Sequence, residues 1–207
     1  MSRRKSEDRC QNCLLRNEDC LCSELQSCRL SSKHKLTLVA HIKDYRKPTN
    51  SGRLFHEILE DSELHLVGEK NKVLHLSSLE DNSYEHLLLC VDDEAEEWTK
   101  EKFQSLNKPI HFLVPDGNWS QARRIKNKIS KHPFVKKICL VSKEKNESVL
   151  RLESKEHGLS TFQAIAEAYR ITGDLKLYEE AMTLYSLFVQ RVLISRGVKG
   201  EGSTDFS

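Results

Sequence analysis

Four cysteines fall within one short stretch, as Cys10-x-x-Cys13 and Cys20-x-Cys22. Two close thiolate pairs are the ligand set of a tetrahedral zinc ion, and four sulfur ligands fill its coordination shell, so such a site is structural. A redox dithiol or a disulfide pair would use the same residues. A redox Cys-x-x-Cys usually opens a helix after a strand, however, and only a charged tail precedes Cys10. Cys28 is a poorer ligand, because the two pairs already complete the shell. Cys90 and Cys139 lie in strand-like apolar runs, a pattern of reduced thiols rather than of a disulfide framework.

A second constellation follows the apolar run Ile110–Val114. The segment Pro115-Asp116-Gly117-Asn118-Trp119-Ser120-Gln121-Ala122-Arg123-Arg124 reads as a strand-to-helix turn, and turns at the carboxyl ends of parallel strands are where α/β proteins bind ligands. Asn118 with Gln121 has capping-box form, which starts the helix at Asn118 and leaves Asp116 and Gly117 in an exposed turn. A carboxylate so placed can accept or orient a proton, and it can equally form an Asx-turn. Trp119, in the first helical turn, can stack on a base or pack in the core. Beyond it the chain is strongly basic, with Arg123, Arg124, Lys126, Lys128, Lys131, Lys136 and Lys137. Contact with nucleic-acid phosphates is the functional reading of this run, and a solvated helix face is the plain one.

The elements that must position these groups are legible from periodicity. Strands are expected at Leu36–His41, Leu64–Val67, Val73–Leu76, His86–Val91, Ile110–Val114, Lys137–Val141 and Val149–Leu152. Helices are expected at Asn50–Leu59, Asp93–Leu106, Asn118–Ile129, Thr161–Ile171 and Asp174–Ile194. Their alternation implies an α/β fold with a mostly parallel sheet covered on both faces. Residues 1–31 are expected to form a cysteine-rich zinc-binding segment, 32–194 the α/β domain and 195–207 a disordered tail. At 207 residues the chain can bury a sizeable core, and a formal net charge of +2 does not by itself announce a nucleic-acid binder. The absence of a long apolar run and of a secretory signal leads to the expectation of a cytoplasmic protein without a membrane partner.

Taken together, these segments resemble the DTW-domain family, named for an Asp-x-Thr-Trp motif followed by a short basic helix. The cysteine pairs, His41 with Thr49-Asn50-Ser51-Gly52-Arg53-Leu54, the Asp116–Trp119 turn, and Gly158-Leu159-Ser160-Thr161 before Phe162-Gln163-Ala164-Ile165 match its segments in order. The resemblance implies a SPOUT-like fold with a C-terminal knot. It also implies a tRNA-uridine aminocarboxypropyltransferase, which passes the 3-amino-3-carboxypropyl group of S-adenosylmethionine to uridine N3, in bacterial members at position 47 of the variable loop and in others in the D-loop. Asp116 would then be catalytic. Thr49, Asn50, Arg53, Asp116, Gly117, Leu159, Ser160 and Thr161 would bind the donor, and Arg123, Arg124, Lys126, Lys128 and Lys131 the tRNA. Arg53 and Arg123 are alternatives for holding the donor's carboxylate, since a guanidinium fork suits that group.

Two residues depart from the family pattern. Asn118 replaces Thr and Gln163 replaces the usual Glu, yet Asn caps helices as Thr does, and Ser160-x-x-Gln163 remains a capping box. An S-adenosylmethionine-dependent RNA methyltransferase and a non-catalytic zinc-containing RNA-binding protein are the competing readings.

Overall fold

The computed structural model describes residues 8–69, 74–91, 94–140 and 159–196. In chain order the elements are α1 (Cys22–Ser27), β1 (Lys35–His41), α2 (Ile42–Tyr45), α3 (Ser51–Ile58), β2 (Ser62–Val67), β3 (Glu85–Leu89), β4 (Glu96–Trp98), α4 (Lys100–Gln104), β5 (Ile110–Asp116), α5 (Trp119–Ile129), β6 (Val135–Leu140), α6 (Thr161–Thr172) and α7 (Leu175–Ser195). The six strands form one parallel sheet in the order β2-β1-β5-β3-β6-β4.

Both faces of this sheet are covered, as its near-continuous apolar strands require. Leu36, Leu38, Ala40, Phe112 and Val114 belong to the larger core, together with Phe55, Phe162, Tyr169, Tyr185 and Phe188 from α3, α6 and α7. Val39, Leu88 and Leu113 belong to a smaller core closed by Ile125 and Ile129 of α5. Leu15, Leu21, Leu25 and Leu30 join the larger core, so the cysteine-rich segment is packed onto the sheet domain. Arg16 donates to the carbonyl of Ser195 at 2.6 Å, and Arg191 pairs with Glu24 at 3.3 Å.

Two expected elements differ. Asp93–Leu106 is not one helix: Glu96–Trp98 forms an edge strand on β6, and only Lys100–Gln104 is helical. The acidic pair Glu96-Glu97 suits an exposed sheet edge, while Trp98 turns inward onto Phe103 with ring centroids 4.9 Å apart. Residues 74–76 are not a strand; Leu74 and Leu76 pack against the smaller core without backbone pairing. The strand expected at Val149–Leu152 lies outside the described residues, as do most of the tail and residues 141–158, which lead into α6. Among the described residues no helix is long and apolar enough to cross a membrane.

Candidate functional site

The carboxyl ends of β1 and β5 lie side by side, with Ala40 opposite Asp116. Asp116 is the last residue of β5 and only 4 % exposed, a correction to its expected place in an exposed turn. Its Oδ2 accepts from Asn50 Nδ2 at 2.6 Å, and its Oδ1 accepts from Thr161 Oγ1 at 2.6 Å. One carboxylate thereby ties the end of β5 to the first turns of α3 and α6. The N-terminal ends of both helices thus meet at one side chain.

Local sequence explains why these helices start here. Asn50 caps α3, its Oδ1 accepting from the N–H of Arg53 at 2.9 Å. Ser160 and Gln163 form a complete capping box on α6, and Asn118 and Gln121 form another on α5, so both departures from the family pattern keep their helix starts. Ser51 Oγ also accepts from the N–H of Phe162 at 3.4 Å. Gly52 permits this approach, since a Cβ there would lie 3.0 Å from Thr161 Cγ2 and 3.1 Å from the Asp116 carboxyl carbon. Gly117 has φ +155°, and a Cβ on it would meet Gln121 Oε1 at 2.9 Å, so the turn depends on glycine's freedom.

Of the residues singled out from the sequence, Asn50, Asp116 and Thr161 are bonded together, while Ser160 and Gly117 flank them in the chain. Thr49 and Leu159 adjoin the junction in sequence, and Thr49 makes no side-chain hydrogen bond among the described residues. Arg53 does not point there. Its Nη atoms donate to the carbonyls of Asn12 and Cys13, the latter at 2.6 Å, which turns the guanidinium to the cysteine loop and not to the Asp116 junction. Buried at 3 % exposure, its guanidinium is held at the cysteine loop.

His41, at the end of β1, lies beside Gly117 and Gln121. Its Nδ1 accepts from Gln121 Nε2 at 3.1 Å and from the N–H of Lys43 at 3.3 Å, linking the end of β1 to the start of α5. A neutral ring in this position carries its proton on Nε2. In the sequence His41 stands at the end of the first strand and belongs to the family-like segment that continues through Thr49–Leu54.

Trp119, at the start of α5, is 58 % exposed and does not belong to the core. Arg123, Arg124, Lys128 and Lys131 are exposed, and none forms an ion pair among the described residues; Lys126 is half-buried. Lys136 and Lys137 are engaged with Glu85 and Glu94. Exposed cations without an acidic partner among the described residues therefore cluster on and just after the helix that follows Asp116.

The four clustered cysteines come together as their spacing implies. Cys10 and Cys22 sulfurs lie 3.5 Å apart, Cys13 and Cys20 sulfurs 3.8 Å apart, and all four lie within 4.8 Å of one another. These separations are too long for disulfides, and they suit a tetrahedron whose zinc–sulfur bonds of ~2.3 Å place sulfurs about 3.8 Å apart. The N–H groups of Cys13 and Asn12 hold the Cys10 thiol down to about 6, whereas burial pushes Cys22 up to about 12 and raises Cys13. A bound metal would replace the remaining thiol protons. Cys28 stays outside the group.

The family model described as the DTW domain matches residues 7–193, a span that takes in the cysteine cluster, the Asp116 junction and α5. No solved structure matches the chain. With the family's segments meeting in one place, the chain belongs to the DTW domain family, whose members are generally tRNA-modifying proteins.

Proposed function

We propose that this protein transfers the 3-amino-3-carboxypropyl group of S-adenosylmethionine to N3 of a uridine in tRNA, at position 47 of the variable loop. The observation that carries this reading is the convergence of Asn50, Asp116 and Thr161, from three separate motif segments, at the carboxyl ends of two adjacent parallel strands. A SPOUT-like fold with a C-terminal knot is part of the same proposal.

In the proposed reaction, uridine N3 forms a bond to the γ-carbon of the sulfonium while the carbon–sulfur bond breaks, releasing neutral methylthioadenosine. That leaving group requires no acid. The imide proton must depart, and Asp116 is the group we assign to accept or orient it. An ionised carboxylate has about four acceptor positions, so the bonds from Asn50 and Thr161 leave capacity for a substrate N–H. Holding the carboxylate in one orientation avoids reorganisation during the reaction. Alignment of N3 with the γ-carbon supplies the rest of the advantage.

Thr49, Asn50, Gly117, Leu159, Ser160 and Thr161 border the proposed donor site. With Arg53 engaged elsewhere and the starts of α3 and α6 turned to Asp116, Arg123 remains for the donor's carboxylate. Arg124, Lys128 and Lys131, with Arg123 and Lys126, form the proposed tRNA face, and Trp119 offers a stacking surface beside it. Zinc in the cysteine cluster has a structural role. In a cytoplasmic setting its thiolates stay reduced.

Nucleoside mass spectrometry of tRNA incubated with the protein and S-adenosylmethionine tests the reaction. An aminocarboxypropyl gain on uridine supports it. A methyl gain would replace it with methyl transfer, and an unmodified tRNA that nevertheless binds would leave a non-catalytic RNA-binding protein.

A further inference from the structure

Arg53 is a buried cation without a carboxylate beside it. Its Nη atoms donate to the carbonyls of Asn12 and Cys13, its Nε has no partner among the described residues, and Tyr45 lies with its ring centroid 6.0 Å from the guanidinium carbon. Among the described residues no Asp or Glu oxygen comes within ion-pair distance, although Glu57 lies one turn further along α3. A guanidinium does not readily give up its proton, and an unpaired buried charge is costly. Two neutral carbonyls satisfy donors but supply no counter-charge.

The missing negative charge can come from the loop Arg53 holds. Four thiolates around a divalent ion leave two negative charges in excess, and Cys10 and Cys13 bracket the carbonyl of Asn12 that Arg53 binds. Asn12 also reaches Cys22, with Nδ2 3.5 Å from its sulfur. On the other side, the N–H of Arg53 donates to Asn50 Oδ1, and Asn50 Nδ2 donates to Asp116 Oδ2. A continuous path of hydrogen bonds thus runs from the Cys13 carbonyl through Arg53 and Asn50 to Asp116.

We propose that Arg53 is the counter-charge of a metal–tetrathiolate centre and, through Asn50, the positioning residue that makes the Asp116 junction depend on metal occupancy. With the metal in place, the Cys10–Cys13 loop is fixed and the first turn of α3 is anchored at Arg53. Once the metal leaves, the guanidinium loses its counter-charge, the turn loosens, and Asn50 holds Asp116 less firmly. Hydrogen-bonded partners outside the ligand sphere commonly tune metal affinity in this way.

This inference rests on the cysteines holding zinc and not on the transfer reaction, so it is tested without donor or tRNA. Full-length wild type, Arg53→Met and Arg53→Lys are loaded with zinc and challenged with a chelator, while amide hydrogen exchange is followed by mass spectrometry. In the wild type, zinc removal should speed exchange at residues 50–53 and 116–121 as well as in the cysteine loop. Arg53→Met should release zinc roughly 10- to 100-fold faster, and Arg53→Lys, which keeps the charge, should fall between. Unchanged exchange at 50–53 and 116–121 in the zinc-free wild type would overturn the proposal. Zinc release from folded Arg53→Met at the wild-type rate, or a wild type that takes up no zinc, would also overturn it. Should Arg53→Met fail to fold, the wild-type exchange comparison and Arg53→Lys decide.

Discussion

Asn50 and Asp116, 66 positions apart in the chain, meet in one buried hydrogen bond of 2.6 Å in which the Asn50 amide donates to the carboxylate. Thr161 closes the other oxygen, so the three segments share one anchor. A group that organises the junction and, in the proposed reaction, meets the substrate should respond differently to removal of its charge and to removal of its shape.

Asp116→Asn keeps an acceptor for Asn50, and the Thr161 hydroxyl can rotate to accept from the new amide. The variant should fold at a cost of about 1 kcal/mol, near the value of a net hydrogen bond, and its transfer rate should fall roughly 10²-fold or more. Asp116→Ala leaves two buried donors unpaired and should cost about 2–5 kcal/mol. Urea midpoints and single-turnover transfer assays on both variants check this. Equal destabilisation by the two substitutions would show that the carboxylate's shape does not matter, and full transfer by the Asn variant would remove Asp116 from the proton path.

Gly52 lies inside α3, where Ala ordinarily gains about 1 kcal/mol over Gly. Here a Cβ would press on Thr161 and the Asp116 carboxyl group. Gly52→Ala should therefore destabilise, by about 1–3 kcal/mol, as overpacking does. A urea midpoint that rises instead would mean that the α3–α6 packing has room to relax.

Arg124 and Lys128 are exposed cations without ion pairs among the described residues, and both lie on α5. Reversing both charges should weaken tRNA binding and lower the slope of log K against log salt by about 2, because each phosphate that a side chain ceases to neutralise keeps its own counterion on binding. Donor binding should be unchanged. Filter binding across a salt series measures the slope, and a wild-type slope in the double variant would make this an ordinary solvated face.

A buried histidine pair should give the fold a distinct acid response. His111 Nε2 lies 2.7 Å from Thr37 Oγ1, and its Nδ1 lies 3.1 Å from His86 Nδ1. Burial, reinforced by His86 and Lys35, pulls His111 down to about 3, and burial lowers His86 as well. The unfolded chain then binds protons that the folded chain refuses, so stability is retained above about pH 6.5 and declines as pH falls from there toward 3. Between pH 6.5 and 5 the His111 share is about 2 kcal/mol. Urea unfolding at the two pH values checks the slope, which should be shallower in His111→Gln. An equal slope in that variant would place the acid sensitivity elsewhere.

Local chemistry made much of the fold legible in the sequence. The capping boxes at Asn118 and Ser160, the apolar runs of β1 and β5 and the amphipathic pattern of α7 act over a few residues. The close pairs Cys10–Cys13 and Cys20–Cys22 likewise need only a short loop to meet. Tertiary structure decided what depends on distant partners. Glu96–Trp98 became a strand because β6 offered an edge, overriding a helix-like acidic run. Arg53 carries the same guanidinium whether it faces a donor or a cysteine loop, and packing of the N-terminal segment on α3 chose the loop. The same rule governs Asp116: its type and its place after a strand announced chemistry, but the bonds from Asn50 and Thr161 exist only because the sheet sets β5 beside β1 and the chain returns at α6. Backbone propensity is set by near neighbours, whereas the orientation of a buried polar side chain is set by which donors and acceptors the completed fold leaves within reach.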